Sequence, residues 1–274
     1  MIGARGRRGG RPPAPEPRGR PLVLAHRGSR LRAPENTLEA FALALQEGAD
    51  GIELDVRRTA DGVPVVLHDP TLERTTDGRG PLAAMRFADL RRLDAGAWFD
   101  ALHRGARVPS LAEVLDLCRG RAAVNIELKI DAGRGLRARR AAIAEAPRLA
   151  EAVARELARA RRGDFVLVSS FSTRALHAAR AVMGTVPLGW LRSRSTRGLA
   201  PLHRRLRLHS VNPNLRLASA RRLTAARRLG LSVYVYPVNL PDDLDRLARH
   251  DVVAGLITDD PLVALSTLAH HRDV

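Results

Sequence analysis

IELDVRRTADGVPVVLHD, residues 52–69, decides the fold. Both ends read as strands, yet only RRTADG (57–62) lies between them. Six residues are too few for a parallel crossover, which needs a dozen or more. They suit a hairpin, with Asp61-Gly62 at its tip. The second arm therefore folds back antiparallel on the first. His68 returns to the level of Glu53 and Asp55, which share one strand face at i, i+2.

Outward from this hairpin, extended runs recur at 21–26, 122–130, 165–170, 186–191, 206–212, 231–238 and 254–259. Helical patterns fill most gaps, at 34–48, 110–119, about 138–161, 172–182, 216–229, 240–250 and 261–269. Alternation of this kind builds a parallel sheet. With the returning arm set aside, eight parallel strands remain. The expected fold is an α/β TIM (βα)8 barrel with a β-hairpin after strand two, and its site belongs at the C-terminal strand ends. Residues 70–108 break the rhythm and read as a small inserted cap, with Trp98 and Phe99 expected to shape a pocket. Residues 1–20 hold six Arg against one Glu amid Gly and Pro, and read as a disordered basic tail ahead of a barrel domain over 21–274.

Composition narrows the function classes. Hydrophobic residues make up 45% of the 274, enough for a full core. The net charge of +17 raises nucleic acid as a partner. The positive charge is spread without a dense block, and aromatics on which bases could stack are 3%, so no specific nucleic-acid partner is expected. No apolar run reaches the length of a membrane span, and the N-terminus has no apolar signal segment. A lone cysteine, Cys118, permits no intrachain disulfide and reads as a buried thiol, so the expected compartment is cytoplasmic. The sequence carries no signal for oligomeric state.

Chemistry gathers at the strand ends. Strand one ends in His26-Arg27-Gly28, strand two carries Glu53 and Asp55, the hairpin returns His68-Asp69, and the next strand carries Glu127 and Lys129. Three inward carboxylates repel one another unless a cation or a shared proton intervenes. An all-oxygen set suits Mg2+ or Ca2+. Two imidazoles can divide proton acceptance and donation near neutrality. Arg27 offers a planar fork to a phosphate, and Lys129 a point charge. Together these describe phosphoester chemistry. Lys129 is the only lysine among 46 basic side chains, in a place where strands normally repel charge. We read it as a site that needs an ammonium.

The ordered motifs HRG (26–28), PENT (34–37), E-x-D-V (53–56), HD (68–69), E-x-K (127–129) and ITDDP (257–261) resemble the glycerophosphodiester phosphodiesterase family. The likeness runs from about residue 22 to 262. It implies a TIM barrel in which Glu53, Asp55 and Glu127 hold one divalent cation, Mg2+ or Ca2+. By the same likeness His26 and His68 are the acid/base pair, and Arg27 and Lys129 contact phosphate. The expected activity is metal-dependent hydrolysis of a small-molecule phosphodiester to glycerol 3-phosphate and an alcohol. Where the family usually has Trp-Thr, this chain has Tyr236-Pro237, so Tyr236 is expected to face the substrate's alcohol part. Two alternatives stand beside this reading: a lysophospholipase D-type lipid phosphodiesterase on the same site, needing an apolar groove in the cap, and a basic nucleic-acid-binding protein.

Overall fold

The computed structural model describes residues 19–131, 135–160 and 165–272. Eight parallel strands form the barrel: β1 (Leu22–His26), β2 (Gly51–Arg58), β4 (Ala123–Leu128), β5 (Val166–Ser170), β6 (Leu188–Arg192), β7 (Ser210–Pro213), β8 (Ser232–Val235) and β9 (Val253–Thr258). β1 pairs with β9 on one side and with β2 on the other, which closes the sheet. The short β3 (Pro64–Val66) lies antiparallel on β2, with Val56 opposite Val66 and Arg58 opposite Pro64. The surplus extended run is therefore the hairpin arm, as the short connection demanded.

Helices cover the barrel: α1 (Leu38–Gln46), α3 (Leu111–Cys118), α4 (Leu136–Ala160), α5 (Thr173–Met183), α6 (Leu199–Leu206), α7 (Ala220–Arg228), α8 (Pro241–Ala248) and α9 (Pro261–Thr267). Strands with apolar side chains on both faces explain the two cores. Phe41, Leu54, Val56, Ile126, Val168 and Leu176 pack between sheet and helices. Leu24, Phe165, Leu167, Tyr234 and Ile257 fill the barrel's interior. Tyr234 fits there because Gly255 carries no side chain: a Cβ on it would come within 2.5 Å of the Tyr234 ring.

Two expected helices are shorter in the fold. The 34–48 pattern yields α1 from Leu38, because Thr37 caps it with its hydroxyl on the Ala40 N–H. The 216–229 pattern divides at Ala218-Ser219 into a 3-10 turn (Leu215–Leu217) and α7.

The 70–108 segment contains one short α-helix, α2 (Phe87–Leu90), 3-10 turns at Leu82–Ala84 and Ala101–His103, and its own apolar cluster of Leu72, Leu82, Leu90, Ala95 and Val108 against Val65 and Leu67. Most of the expected tail, residues 1–18, lies outside the described residues. Arg20 within it is buried and pairs with Asp50 at 2.6 Å, so packed structure begins ahead of Pro21. Cys118 is fully buried. Among the described residues no helix is long and apolar enough to cross a membrane.

Candidate active site

Barrel register sets the site. His26 lies opposite Glu53 across β1 and β2, and Asp55 opposite Glu127 across β2 and β4. Alternation along β2 turns both of its acids to one face. Carboxylate oxygens of Glu53, Asp55 and Glu127 all lie within 4.8 Å of one another. The three side chains are buried, at 5%, 1% and 7% exposure.

The turn after β1 holds unusual backbone. Arg27 (φ 60°) and Asn36 (φ 59°) are both left-handed, at a cost of about 1–2 kcal/mol each. Hydrogen bonds hold them there: Arg27 N–H to Glu53 O, and Asn36 N–H to Arg27 O. Gly28 (φ +86°) is obligatory, since a Cβ would meet the Ala40 backbone at 2.6 Å. The result brings Arg27 Nε to 3.0 Å from Asp55 Oδ2 and lets Asn36 Nδ2 donate to the same oxygen.

Lys129 follows the last residue of β4, and its N–H still bonds to Val56 O. Its Nζ stands 3.0 Å from Glu127 Oε1 and 3.3 Å from Asp55 Oδ1. His68 lies beyond β3, where the Leu67 N–H reaches Asp55 O. A cavity of about 190 Å³ is lined by His26, Arg27, Glu53, His68, Glu127, Lys129 and Tyr236, with Phe171 and Pro237 at its side. Phe171 and Tyr236 meet edge to face at 6.0 Å. Asp55 lies behind this lining, tied to Lys129 and Arg27. All eight expected site residues thus occupy one rim.

Two further carboxylates complete it. Asp259 Oδ1 lies 2.6 Å from His26 Nδ1, and Asp69 Oδ1 lies 2.5 Å from His68 Nδ1. Asp69 was legible beside its histidine. Asp259 was signalled only by its place just after the last strand, which closes onto β1. The aromatics of the 70–108 segment do not take part as expected. Trp98 and Phe99 meet edge to face, and Phe99 meets His103 in the same way, apart from the cavity lining.

Burial raises Glu53 well above the usual carboxylate range, and Asp55 and Glu127 add repulsion. Burial likewise lifts Glu127, to about 7, against the pull of Lys129. For Asp55 burial is outweighed by Lys129 and Arg27, which hold it well below the ordinary value. Burial pushes His68 down, Asp55 opposes, and Lys129 and Arg27 push further down. Asp259 and Asp69 resist burial through their hydrogen bonds, Asp259 with His26 and Asp69 with Arg74 and His68; both fall to about 2.

The donor set fits a divalent cation. It is all carboxylate oxygen, and Glu53 Oε2 is buried without a hydrogen-bond partner. His26 Nε2 stands off from this oxygen at 3.9 Å.

A closed (βα)8 barrel with acids, two imidazoles and two cations at its C-terminal rim defines a class: a barrel enzyme that works on an anionic substrate. The chain belongs to the glycerophosphoryl diester phosphodiesterase family, whose model matches residues 26–263. It is 32% identical over 243 residues to the glycerophosphodiester phosphodiesterase of Caldanaerobacter subterraneus subsp. tengcongensis, covering 88% of this chain and 94% of that one. Its fold matches an Oleispira antarctica phosphodiesterase solved with the product sn-glycerol-3-phosphate, with TM-score 0.82 and 26% identity over 91% of this chain and 97% of that one. It also matches the glycerophosphodiester phosphodiesterase of Agrobacterium tumefaciens, with TM-score 0.75 and 31% identity over 90% and 99% of the two chains.

Proposed function

We propose that the enzyme hydrolyses glycerophosphodiesters such as glycerophosphocholine to glycerol 3-phosphate and the free alcohol, with one divalent cation bound. The observation that carries this reading is the pairing of the imidazoles. Each gives Nδ1 to a carboxylate, His26 to Asp259 and His68 to Asp69, while both rings line the cavity that Glu53, Glu127, Arg27 and Lys129 share. Such pairing fixes the tautomer and leaves Nε2 for proton transfer.

Glu53, Asp55 and Glu127 would hold the cation, Mg2+ or Ca2+. When bound, it supplies a positive charge that draws electron density from a non-bridging phosphate oxygen. Arg27 and Lys129 bind the phosphate and orient the scissile bond. One imidazole accepts a proton from water as the water oxygen bonds to phosphorus. The bond from phosphorus to the alcohol oxygen breaks, and the other imidazole gives that oxygen a proton. Tyr236 and Phe171 would flank the alcohol part as an aromatic corner suited to a choline-like cation. Dialysis against a chelator tests the reading: choline release from glycerophosphocholine should fall at least tenfold and return with Mg2+ or Ca2+. Undiminished release in excess chelator would contradict the bound cation.

A further inference from the structure

The two imidazole–carboxylate pairs do not touch, but a buried carboxylate joins them. Glu35, 5% exposed, receives three guanidinium groups. Arg27 Nη1 and Arg74 Nη2 donate to its Oε1 at 2.9 and 2.8 Å, and Arg30 Nη2 donates to its Oε2 at 3.0 Å. Each arginine then reaches on. Arg74 Nε donates to Asp69 Oδ2 at 2.5 Å, and Asp69 holds His68. Arg30 Nη1 lies 3.5 Å from the Asp259 oxygen that holds His26. Arg27 continues to Asp55. One line of charge therefore runs from His68 through Asp69, Arg74, Glu35, Arg30 and Asp259 to His26.

Helix capping does not account for Glu35, because Thr37 supplies the N-cap of α1. Nor does simple ion pairing, since a single arginine would have sufficed to compensate one carboxylate. Three guanidinium groups around one carboxylate repel one another once it is neutralised. All three would then swing, each taking a neighbour of the cavity with it. We propose that Glu35 is a positioning residue, holding Arg27 and both imidazole–carboxylate pairs in one frame so that proton acceptor and proton donor keep their relative places. The inference rests on the function proposed above for its catalytic meaning.

Glu35→Gln tests it in the full chain labelled with 15N-histidine, its ring signals assigned by single His→Gln variants. Signals of both His26 and His68 should move, although Glu35 touches neither, while those of His177 and His209 stay as internal references. Well below the melting midpoint, kcat should fall about 10- to 100-fold, the scale of sub-ångström misplacement. The losses from Arg30→Gln and Arg74→Gln should shrink in the Glu35→Gln background, where they have nothing left to break. Glu35→Asp should restore part of kcat. Imidazole signals at their wild-type positions, a shift at one histidine alone, unchanged kcat or additive losses would each overturn the proposal. A wild-type chain with no turnover would strike the proposed function, and the ring signals would still decide the frame.

Discussion

Lys129 holds its ammonium against two acids at once, 3.0 Å from Glu127 and 3.3 Å from Asp55. Burial would lower its pKa, but Asp55 and Glu127 outweigh that and raise it, so it stays charged. A guanidinium is longer and planar, and would crowd a cavity of about 190 Å³ that must also take the proposed phosphate. Lys129→Arg should lower kcat by about 100-fold or more while the melting midpoint stays near wild type. Near-normal turnover in that variant would refute the need for an ammonium. At this scale most of the site was legible, because i, i+2 spacing in a strand is local geometry. Glu53 with Asp55 and Glu127 with Lys129 follow from that alone. The role of Asp259 was not legible from local spacing, since its meeting with His26 depends on the barrel closing β9 onto β1. Its neighbour Asp260 does other work, capping α9 and pairing with Arg32.

The β2–β3 hairpin is the element that delivers His68. Its strand is only three residues long, so pairing alone holds it weakly. Arg57 supplies a clamp: Nε donates to His68 O at 2.8 Å, and the two Nη atoms grip Asp131 at 2.6 and 2.9 Å. Arg57→Ala should cost about 0.5–2 kcal/mol in thermal unfolding, because Arg57 is buried while its partner Asp131 is half exposed. It should also lower kcat by about tenfold or more by loosening His68. Equal kcat in a destabilised variant would make the clamp purely structural. The hairpin itself was readable from a six-residue connection. The placing of Trp98 and Phe99 was not, because aromatic content says that a segment packs and not what it packs against.

Across the whole molecule, eight parallel strands were countable from the sequence once the returning arm was recognised, and closure of the barrel followed. The folding balance of the closed barrel carries the mark of its acids. A carboxyl whose pKa rises on folding stabilises the native state below its unfolded value and loses that contribution as pH climbs through the folded value. Glu53 and Glu127 are both of this kind. His68, held below its ordinary value, works the other way, one group against two. In chelator the melting midpoint should therefore fall between about pH 5 and pH 8. Excess Mg2+ or Ca2+ should remove that fall, because a metal would bind the ionised acids and only in the native state. A midpoint flat with pH in chelator, or indifferent to both cations, would contradict this balance.

The central claim is that the rim groups cleave a phosphodiester between phosphorus and the alcohol. Phosphorus NMR of a glycerophosphocholine digest tests it most directly. Glycerol 3-phosphate should appear one for one with choline in the wild-type chain, and neither should form at a comparable rate with Glu53→Gln or Glu127→Gln. Phosphocholine as the product, or full turnover in those variants, would contradict the account.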